Sequence, residues 1–507
     1  MSVTSPSAPQ VSQEGTPLRL GDIVPAVIFG ISMLVAYGYE IFSFNLTIDE
    51  DIIAASDHSQ RFVGSIGEGR WAMSALSLIL PNPVTPGVST GIASAGSAVA
   101  WWLLSRRVLG LSGWQSLFAA TLAGTVPTLA FIFSFSTIAF AIGIGNLFLV
   151  GFIVGLRSMS WWYRAVGVVC GAAATGVYDT FGLALAVLGL ALVWQRGTWR
   201  SLSLAVVGTG LSFGLSRLIV TVEGLVLNVP KTSYIGAFFD LPGLVAHPLQ
   251  RLRRSFDDFW KVISLSGENF GLHSPWLAVV FVLLFACAIL SIVVAPGGPI
   301  KRILKAVALL GLIALPIAAE AISSVIPLRS MLYLPMVILV LFAMSIDGFV
   351  WLRAHLPRIT PALLRTASAG LLILAILGNA VIINRLFSTS ATTYALDRDL
   401  AFDIGQNKDR LLAGNNLATP AAVVIGAHTW PGGSFTEAKE TFGGSLFNLN
   451  ATRTVTFLRA HGISVVYPTE AQTEAITKLA ASLPVYPQPG WVSLQGDVLV
   501  VNFGLPK

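Results

Sequence analysis

Residues 43–71 gather titratable side chains into one short stretch of an otherwise apolar chain. The segment carries five acids, two arginines and a histidine: Asp49, Glu50, Asp51, Asp57, Glu68, Arg61, Arg70 and His58. Crowded carboxylates raise one another's pKa, and a carboxyl with a raised pKa suits general-base chemistry. The residue types in this stretch therefore indicate proton transfer.

Asp49, Glu50 and Asp51 are consecutive, so they cannot all face one site, because neighbours on a helix point about 100° apart. We expect Asp49 or Asp51 to face a substrate while its neighbours, Glu50 included, hold cations or cap a helix. The alternative is structural: Asp49 or Asp51 caps a short interfacial helix that begins near Ile52.

Arg70 follows Glu68 closely and precedes Trp71. An arginine beside acids at headgroup level pairs with them or clamps a phosphate with two parallel hydrogen bonds. Glu68 is a candidate member of the same network. Trp71 alone is typical of an interfacial anchor.

The composition is that of a polytopic membrane protein. The 507 residues are 54% apolar and only 11% charged, with a mean hydropathy of +0.75, whereas soluble domains carry about 25% charged residues. Basic residues are scattered over short loops, which excludes a nucleic-acid surface. Cys170 and Cys287 lie in apolar runs and indicate neither a disulfide nor a metal site.

Eleven apolar segments approach the roughly 20 residues that a membrane helix needs. They are 22–42, 84–105, 114–135, 137–156, 163–178, 180–195, 202–222, 276–296, 303–325, 330–350 and 364–386. The pair 163–178 and 180–195 is short for two spans. Segment 71–81 is too short to cross and is expected to lie along the interface.

Charge in the loops predicts the orientation. Five alternate loops carry basic residues and no acids: Arg106 and Arg107; Arg157 and Arg164; Arg196 and Arg200; Lys301, Arg302 and Lys305; Arg353, Arg358 and Arg365. By the positive-inside rule these loops are cytoplasmic, together with a disordered tail at 1–20. Residues 43–71, 223–275 and 387–507 are then extracytoplasmic.

Four charged residues lie at the predicted outer ends of apolar runs: Asp179 (directly after Tyr178), Arg217, Glu320 and Arg329. Charges at membrane depth are costly and tend to face a protein interior or an aqueous cavity. Their convergence on the side of Asp49 predicts a site at the outer leaflet. The alternative is snorkelling of helix-end side chains.

The loop 223–275 contains an amphipathic piece with Arg251, Arg253 and Arg254 opposite apolar side chains. Such a segment either adheres to anionic headgroups or grips the phosphate of a lipid substrate. Both interpretations place it at the membrane surface.

From residue 387 the chain becomes more polar, and about 120 residues suffice for one small α/β domain. Strands are predicted at Ala421–Gly426 and Ile463–Tyr467, with a hairpin over Val492–Phe503. Helices are predicted at 436–442, 451–461 and 470–482.

These residues resemble a known family. Ile48-Asp-Glu-Asp51, followed after about 20 residues by Gly69-Arg70-Trp71, resembles the first outer loop of the bacterial O-antigen glucosyltransferases of the Gtr type, in the multispanning C-type glycosyltransferase superfamily. The resemblance continues in Tyr178-Asp179, Pro327-Leu328-Arg329, Tyr394 to Asp403, Val424-Ile-Gly426 and Pro484 to Gly490. That family often has glutamine where Asp179 stands, so no shared role is carried over to Asp179.

The resemblance implies a fold of about 11 spans, residues 21–386, with a small extracytoplasmic α/β domain, residues 387–507, in a bacterial cytoplasmic membrane. It implies transfer of a sugar, typically glucose, from a polyprenyl-phosphate donor to a surface-glycan acceptor. An aspartate of the first outer loop, Asp49 or Asp51, would act as general base, with inversion at the anomeric carbon. Arg70, Arg329 and Arg254 are the candidates for stabilising the phosphate leaving group.

Glu68, Tyr178, Asp179 and Glu320 are candidates for lining the site or contacting the acceptor. A divalent cation is compatible with this chemistry, but nothing in the sequence requires a cofactor, and the six histidines show no metal-binding spacing.

Two other functions stay open. A transporter or flippase of lipid-linked saccharide fits the same membrane character, although no internal repeat is visible. A non-enzymatic scaffold would use the last domain to bind glycan, with Trp430 and Trp491 stacking on sugar.

Overall fold

The computed structural model describes residues 20–43, 45–47, 50, 58–79, 86–230, 240–323, 327–355, 361–414, 419–431, 437–448 and 450–504. Asp49, Asp51 and most of the tail at 1–20 lie outside these ranges. The described chain is a helical bundle followed by a small domain with one three-stranded sheet.

The helices that precede the first strand account for most of the structure. In chain order they are α1 (Leu20–Phe42), α2 (His58–Gly67), α3 (Trp71–Ile79), α4 (Pro86–Leu103), α5 (Gly113–Gly124), α6 (Thr128–Phe133), α7 (Ser136–Arg157), α8 (Trp161–Val177), α9 (Phe181–Arg196), α10 (Trp199–Val226), α11 (Leu241–Ala246), α12 (Pro248–Ile263), α13 (Gly267–Phe270), α14 (Trp276–Val293), α15 (Pro299–Ile322), α16 (Leu334–His355) and α17 (Pro361–Leu412).

Eight of these helices are long and apolar enough to cross a membrane: α1, α4, α7, α10, α14, α15, α16 and α17. This confirms a multi-pass helical protein. Each predicted apolar segment coincides with a helix, but segment 114–135 is divided between α5 and α6, and α8 and α9 have only 17 and 16 residues. The count of eleven spans stays a prediction.

Glycines let several helices approach closely in the bundle. At Gly348 of α16, an added Cβ would overlap the carbonyl oxygen of Cys287 on α14. The Gly348 N–H donates to Ser291 Oγ at 2.6 Å across the same contact. Small residues at such crossings allow dense van der Waals packing, which holds helices together in lipid.

Helix α17 is a single element of 52 residues, about 78 Å long at 1.5 Å per residue. It continues past 386, where the last apolar segment was predicted to end. Its first half packs into the bundle core, with Phe387 fully buried, whereas Leu400 and Ile404 belong to the core of the small domain. One helix therefore serves both units.

The small domain contains β1 (Ala421–Ile425), α18 (Ala451–Ala460), α19 (Glu470–Leu479), β2 (Val492–Gln495) and β3 (Val498–Asn502). The sheet order is β1-β3-β2, with β1 parallel and β2 antiparallel to β3. Gly496, at φ +64°, makes the turn of the hairpin. The predicted first strand, the hairpin and the helices 451–461 and 470–482 are thus confirmed.

Two predictions in this domain were wrong. Ile463–Tyr467 is not a strand: the Ile463 N–H donates to the Leu458 carbonyl of α18, and Val466 makes one isolated bridge to Ala421. The part of 436–442 that the structure describes is not helical. Lys439 and Phe442 instead exchange backbone hydrogen bonds around a tight turn, in which Glu440 has φ +51°.

This turn seats the small domain on the bundle. The Phe442 ring packs edge-on against Phe131 of α6 and Phe387 of α17, at centroid distances of 5.0 and 5.3 Å. Phe442 is fully buried and belongs to the bundle core. We refer to this end of the bundle as the domain end.

Candidate functional site

A charged cavity of about 440 Å³ lies at the domain end. Its walls are α12, the last turn of α15, the segment Pro327–Met331 and the turn 438–440 of the small domain. Four basic and four acidic side chains line it: Arg251, Arg254, Arg329, Lys439, Asp258, Glu268, Glu320 and Glu440. The cavity therefore holds many charges with little net charge.

Helix α12 presents two different surfaces. Arg251 and Arg254 line the cavity, whereas Leu252 and Phe256 are 44% and 51% exposed. Phe259 is buried against the bundle. A helix with exposed apolar residues beside a basic face is typical of a segment lying in a membrane interface.

Ion pairs fix the basic residues of α12. Arg251 pairs with Asp240, which caps α11, and donates to the Ser323 carbonyl at 3.3 Å. Arg254 pairs with Asp258 one turn later at 3.5 Å and is 56% exposed. Arg251 is thus fixed in the wall of the cavity by its contacts. Arg254 has only a weak ion pair, which it can exchange for a contact with a ligand.

Glu440 ties the small domain to the segment before α16. Its Oε2 accepts the Leu328 N–H at 2.7 Å, and its Oε1 lies 3.2 Å from Arg329 Nη1. Burial raises the pKa of Glu440, while the Leu328 N–H and Arg329 oppose that rise. Arg329 also lies over the ring of Phe135, 5.7 Å from its centroid.

Lys439 closes the cavity on the side of α13. It pairs with Glu437 at 2.8 Å and donates to the Glu268 carbonyl at 3.1 Å. The Glu268 carboxylate in turn lies 3.7 Å from Lys261. These contacts connect the small domain to the loop that follows α12.

Glu320 differs from the other acids of the cavity. It lies in the last turn of α15, and in the described ranges its carboxylate has no ion-pair or hydrogen-bond partner. Its charged neighbours are Asp258 and Arg254. It also lies close enough to Tyr333 to interact electrostatically with the phenol.

A second charged cluster lies where α8 ends and α9 begins. Arg70 pairs with Glu68 at 2.6 Å and stacks over the Tyr178 ring at 4.7 Å, while Asp179 pairs with Arg217 of α10. Burial raises the pKa of Asp179, and Arg217 opposes that rise. The charges of Arg70 and Glu68 also act on the pKa of Asp179. Glu68, Arg70, Tyr178, Asp179 and Arg217 therefore form one network.

Trp71 is held rather than freely inserted into the interface. Its indole Nε1 donates to Ser216 Oγ on α10 at 3.1 Å, and its ring packs where Gly176 has no side chain. This anchors the start of α3 beside the network of Arg70.

One hydrogen bond links the second cluster to the cavity wall. The Tyr178 hydroxyl lies 3.4 Å from Ser330 Oγ, next to Arg329 in the segment that lines the cavity. The second cluster, through Tyr178, and the charged residues of the cavity therefore both contact the short segment Pro327–Met331.

Glu50 occupies a different environment. It is 3% exposed and accepts hydrogen bonds from the Thr47 N–H at 2.8 Å and from the Ser136 N–H at the start of α7. Burial raises the pKa of Glu50 to about 7, against the pull of these donors. Glu50 does not line the cavity; it connects the backbone at Thr47 to the N-terminus of α7.

The predicted site residues thus fall into three places. Arg254, Arg329 and Glu320 line the cavity; Glu68, Arg70, Tyr178 and Asp179 form the second cluster; Glu50 is buried beside α7. Asp49 and Asp51 lie outside the described residues. Within those residues, no group of three or more His, Cys, Asp or Glu side chains is placed to hold a metal ion.

Sequence reasoning missed Asp258 and Glu268 of the cavity, and it also missed Lys439 and Glu440. Lys439 and Glu440 stand in a region predicted to be helical, more than 100 residues after Leu328 and Arg329. No periodicity signals that a tight turn of the small domain returns to the bundle. The remaining hint was a Lys-Glu pair followed by Gly443-Gly444, which indicates a turn.

Comparison of the chain with models of known protein families finds no match, and comparison with curated protein sequences finds none either.

Proposed function

We propose that this protein is a membrane glycosyltransferase that moves a sugar from a polyprenyl-phosphate donor to a surface-glycan acceptor. The sugar that the resemblance favours is glucose. The observation that carries the proposal is the cavity at the domain end. Four basic side chains line it beside four acids, and α12, which forms one wall, exposes apolar residues outside the cavity. A lipid phosphate needs both features, cations for its headgroup and an apolar surface for its chain.

The leaving group of this reaction is polyprenyl phosphate, which gains negative charge as the glycosidic bond breaks. Donors placed where charge develops lower the barrier most. Arg254 and Arg329 are assigned to this phosphate, with Arg70 behind Tyr178 as the third candidate. Arg254, itself 56% exposed, needs only to leave its partner Asp258, which costs about 1 kcal/mol or less.

The second cluster is assigned to the acceptor side. Tyr178, with Arg70 over its ring, adjoins the cavity wall through Ser330. Glu68 and Asp179 supply hydrogen-bond acceptors suited to sugar hydroxyls. In this proposal the cavity and the cluster hold donor and acceptor at the extracytoplasmic leaflet of a bacterial cytoplasmic membrane.

The proton acceptor is a carboxylate, and the resemblance points to Asp49 or Asp51. Glu50 stands between them in the sequence and is buried. It is given a supporting role, because the hydrogen bonds that it accepts from Thr47 and Ser136 fix the backbone at the start of that loop. Separate Asp49→Asn and Asp51→Asn variants test the two aspartates.

The experiment uses purified protein in vesicles that contain polyprenyl-phosphate glucose, with released polyprenyl phosphate as the readout. We expect the wild type to release it, and Arg254→Gln to lose about tenfold or more in kcat/KM, since a hydrogen bond to a charged group contributes about 1.5–3 kcal/mol.

Arg253→Gln is the matched control, because Arg253 is an exposed neighbour on α12 that does not line the cavity. Equal loss in both variants would contradict the assignment of Arg254. Movement of the lipid-linked sugar across the vesicle membrane without release of lipid phosphate would support the flippase instead.

A further inference from the structure

We infer that Glu320 accepts the proton of the attacking hydroxyl, in the role that the resemblance gives to an aspartate of the first loop. The inference rests on the proposed function and assigns its base to a residue inside the cavity. The ion pairs around the cavity single out this residue.

Every other charge that lines the cavity has an opposite partner. Arg251 pairs with Asp240, Arg254 with Asp258, Arg329 with Glu440, Lys439 with Glu437 and Glu268 with Lys261. Over the part of the chain that the structure describes, the Glu320 carboxylate alone among these eight side chains lacks an ion pair. It is therefore available to a ligand without breaking a protein contact.

The position of Glu320 is unfavourable for a purely structural residue. It lies at the end of a membrane-length helix, where a charge tends to mark a functional cavity. It also lies in the last turn of α15, at the negative end of the helix dipole, where an acid is disfavoured. The last turn of α15 contains no basic side chain that would compensate for this.

Glu320 is adjacent to the groups assigned to the leaving phosphate. Arg254 and Asp258 of α12 are its charged neighbours, and Tyr333 approaches from the segment before α16. Arg329 lines the same cavity. One cavity thus contains both a carboxylate that can take the proton and arginines that can hold the departing phosphate; inversion requires the hydroxyl to enter on the face of the sugar opposite the phosphate.

The acceptor oxygen forms a bond to the anomeric carbon while its proton passes to the Glu320 carboxylate. The bond between the anomeric carbon and the phosphate oxygen breaks, and its electron pair leaves with polyprenyl phosphate beside Arg254. Glu320 then returns the proton to water, so that no oxidant or further reactant is needed.

The test separates proton removal from all other steps. Wild type and Glu320→Gln are compared in vesicles with polyprenyl-phosphate glucose, either with octyl glycosides and water as hydroxyl acceptors or with azide. Azide carries no proton, so its attack needs no base. It is used at a concentration at which the wild type releases lipid phosphate.

We expect Glu320→Gln to lose about 100-fold or more of the hydroxyl reaction, the usual contribution of a general base, while azide-dependent release stays within about threefold of wild type. Loss of both reactions would overturn the inference, since it would show a structural role. Retention of both would overturn it as well.

Two further variants complete the design. Glu320→Asp keeps a carboxylate one methylene shorter and is expected to retain part of the hydroxyl reaction, and Glu474→Gln, an exposed change on α19, is expected to match wild type. If Asp49→Asn or Asp51→Asn instead loses the hydroxyl reaction selectively, the base is that aspartate of the first loop, and Glu320 is not the base. If the wild type releases no lipid phosphate, the proposed function itself fails.

Discussion

Arg329 Nη1 lies 3.2 Å from Glu440 Oε1, and this ion pair joins the helical bundle to the small domain across 111 positions of sequence. The same carboxylate accepts the Leu328 N–H at 2.7 Å. Glu440 of the small domain thus fixes Leu328 and Arg329, two residues of the cavity wall that belong to the bundle.

Glu440→Ala is expected to lower the free energy of unfolding by about 1.5–3 kcal/mol, because it removes hydrogen bonds to a charged group. Glu440→Gln should cost less, since its amide oxygen still accepts the Leu328 N–H. Thermal unfolding in detergent measures both. Equal losses in the two variants would show that the ion pair, and not the backbone hydrogen bond, provides the stability.

Gly348→Ala is expected to destabilise the bundle by about 1–3 kcal/mol, the usual cost of overpacking. The new Cβ would overlap the Cys287 carbonyl and lie 3.0 Å from the Ser291 nitrogen. Gly370→Ala on α17 is the control, because its Cβ would meet nothing within 4 Å. Similar unfolding temperatures for both variants would contradict the close approach of α14 and α16.

The raised pKa of Glu50 predicts that the stability of the protein depends on pH. Its folded pKa of about 7 exceeds the ordinary value of 4.5, so the folded state holds the proton more tightly than the unfolded state. Stability should be constant below pH 4.5, fall between pH 4.5 and 7, and then level off, with a total loss of about 3 kcal/mol.

Glu50→Gln carries no titrating proton and should remove this contribution. The check is the unfolding temperature of both proteins at several pH values between 4 and 8. A constant difference between wild type and Glu50→Gln over that range would contradict the raised pKa.

Asp179 and Arg217 should be coupled in a double-mutant cycle. Arg217→Met leaves a mostly buried carboxylate without its ion-pair partner, and Asp179→Asn leaves the guanidinium without its acid. We expect the double variant to be more stable than the sum of the single losses predicts, by about 1–3 kcal/mol. Additive losses, measured by thermal unfolding, would mean that the pair contributes nothing.

Tyr178→Phe is expected to change stability by about 0.5 kcal/mol or less, because the hydroxyl bond to Ser330 is long, at 3.4 Å. Tyr178→Leu should cost about 1–2 kcal/mol more, since it removes the ring under Arg70. The readout is again the unfolding transition. Equal losses in the two variants would assign the stability to the hydroxyl, which both changes remove, and not to the ring under Arg70.

The helices of the bundle were predictable because lipid imposes one rule on them: apolar runs of membrane length must satisfy their backbone internally. The strand at Ala421 followed from a short run of apolar residues, and the hairpin followed from the turn residues around Gly496. The end of α17 did not follow, because a change from apolar to polar composition marks where a helix leaves lipid, not where it stops. Between Pro361 and Pro420 no proline ends it.

The candidate site was predictable only in part. Helix-end charges such as Glu320 and Arg329 stand out in an apolar chain, whereas Glu440 is one of several acids in a polar domain. Its role comes from a tertiary contact, and one sequence carries no information on which distant residues meet. The environment of Glu50 is a similar case, since its Ser136 partner is 86 positions away.

The length of α17 has a mechanical consequence. A bilayer core of about 30 Å covers roughly 20 of its 52 residues, so about 48 Å of unbroken helix projects beyond the lipid. Because the rod is rigid over that distance, a tilt of about 5° displaces its far tip by roughly 4 Å. A change in the tilt of α17, one of the ways in which a helix adapts to bilayer thickness, would therefore shift Leu400 and Ile404, which belong to the core of the small domain.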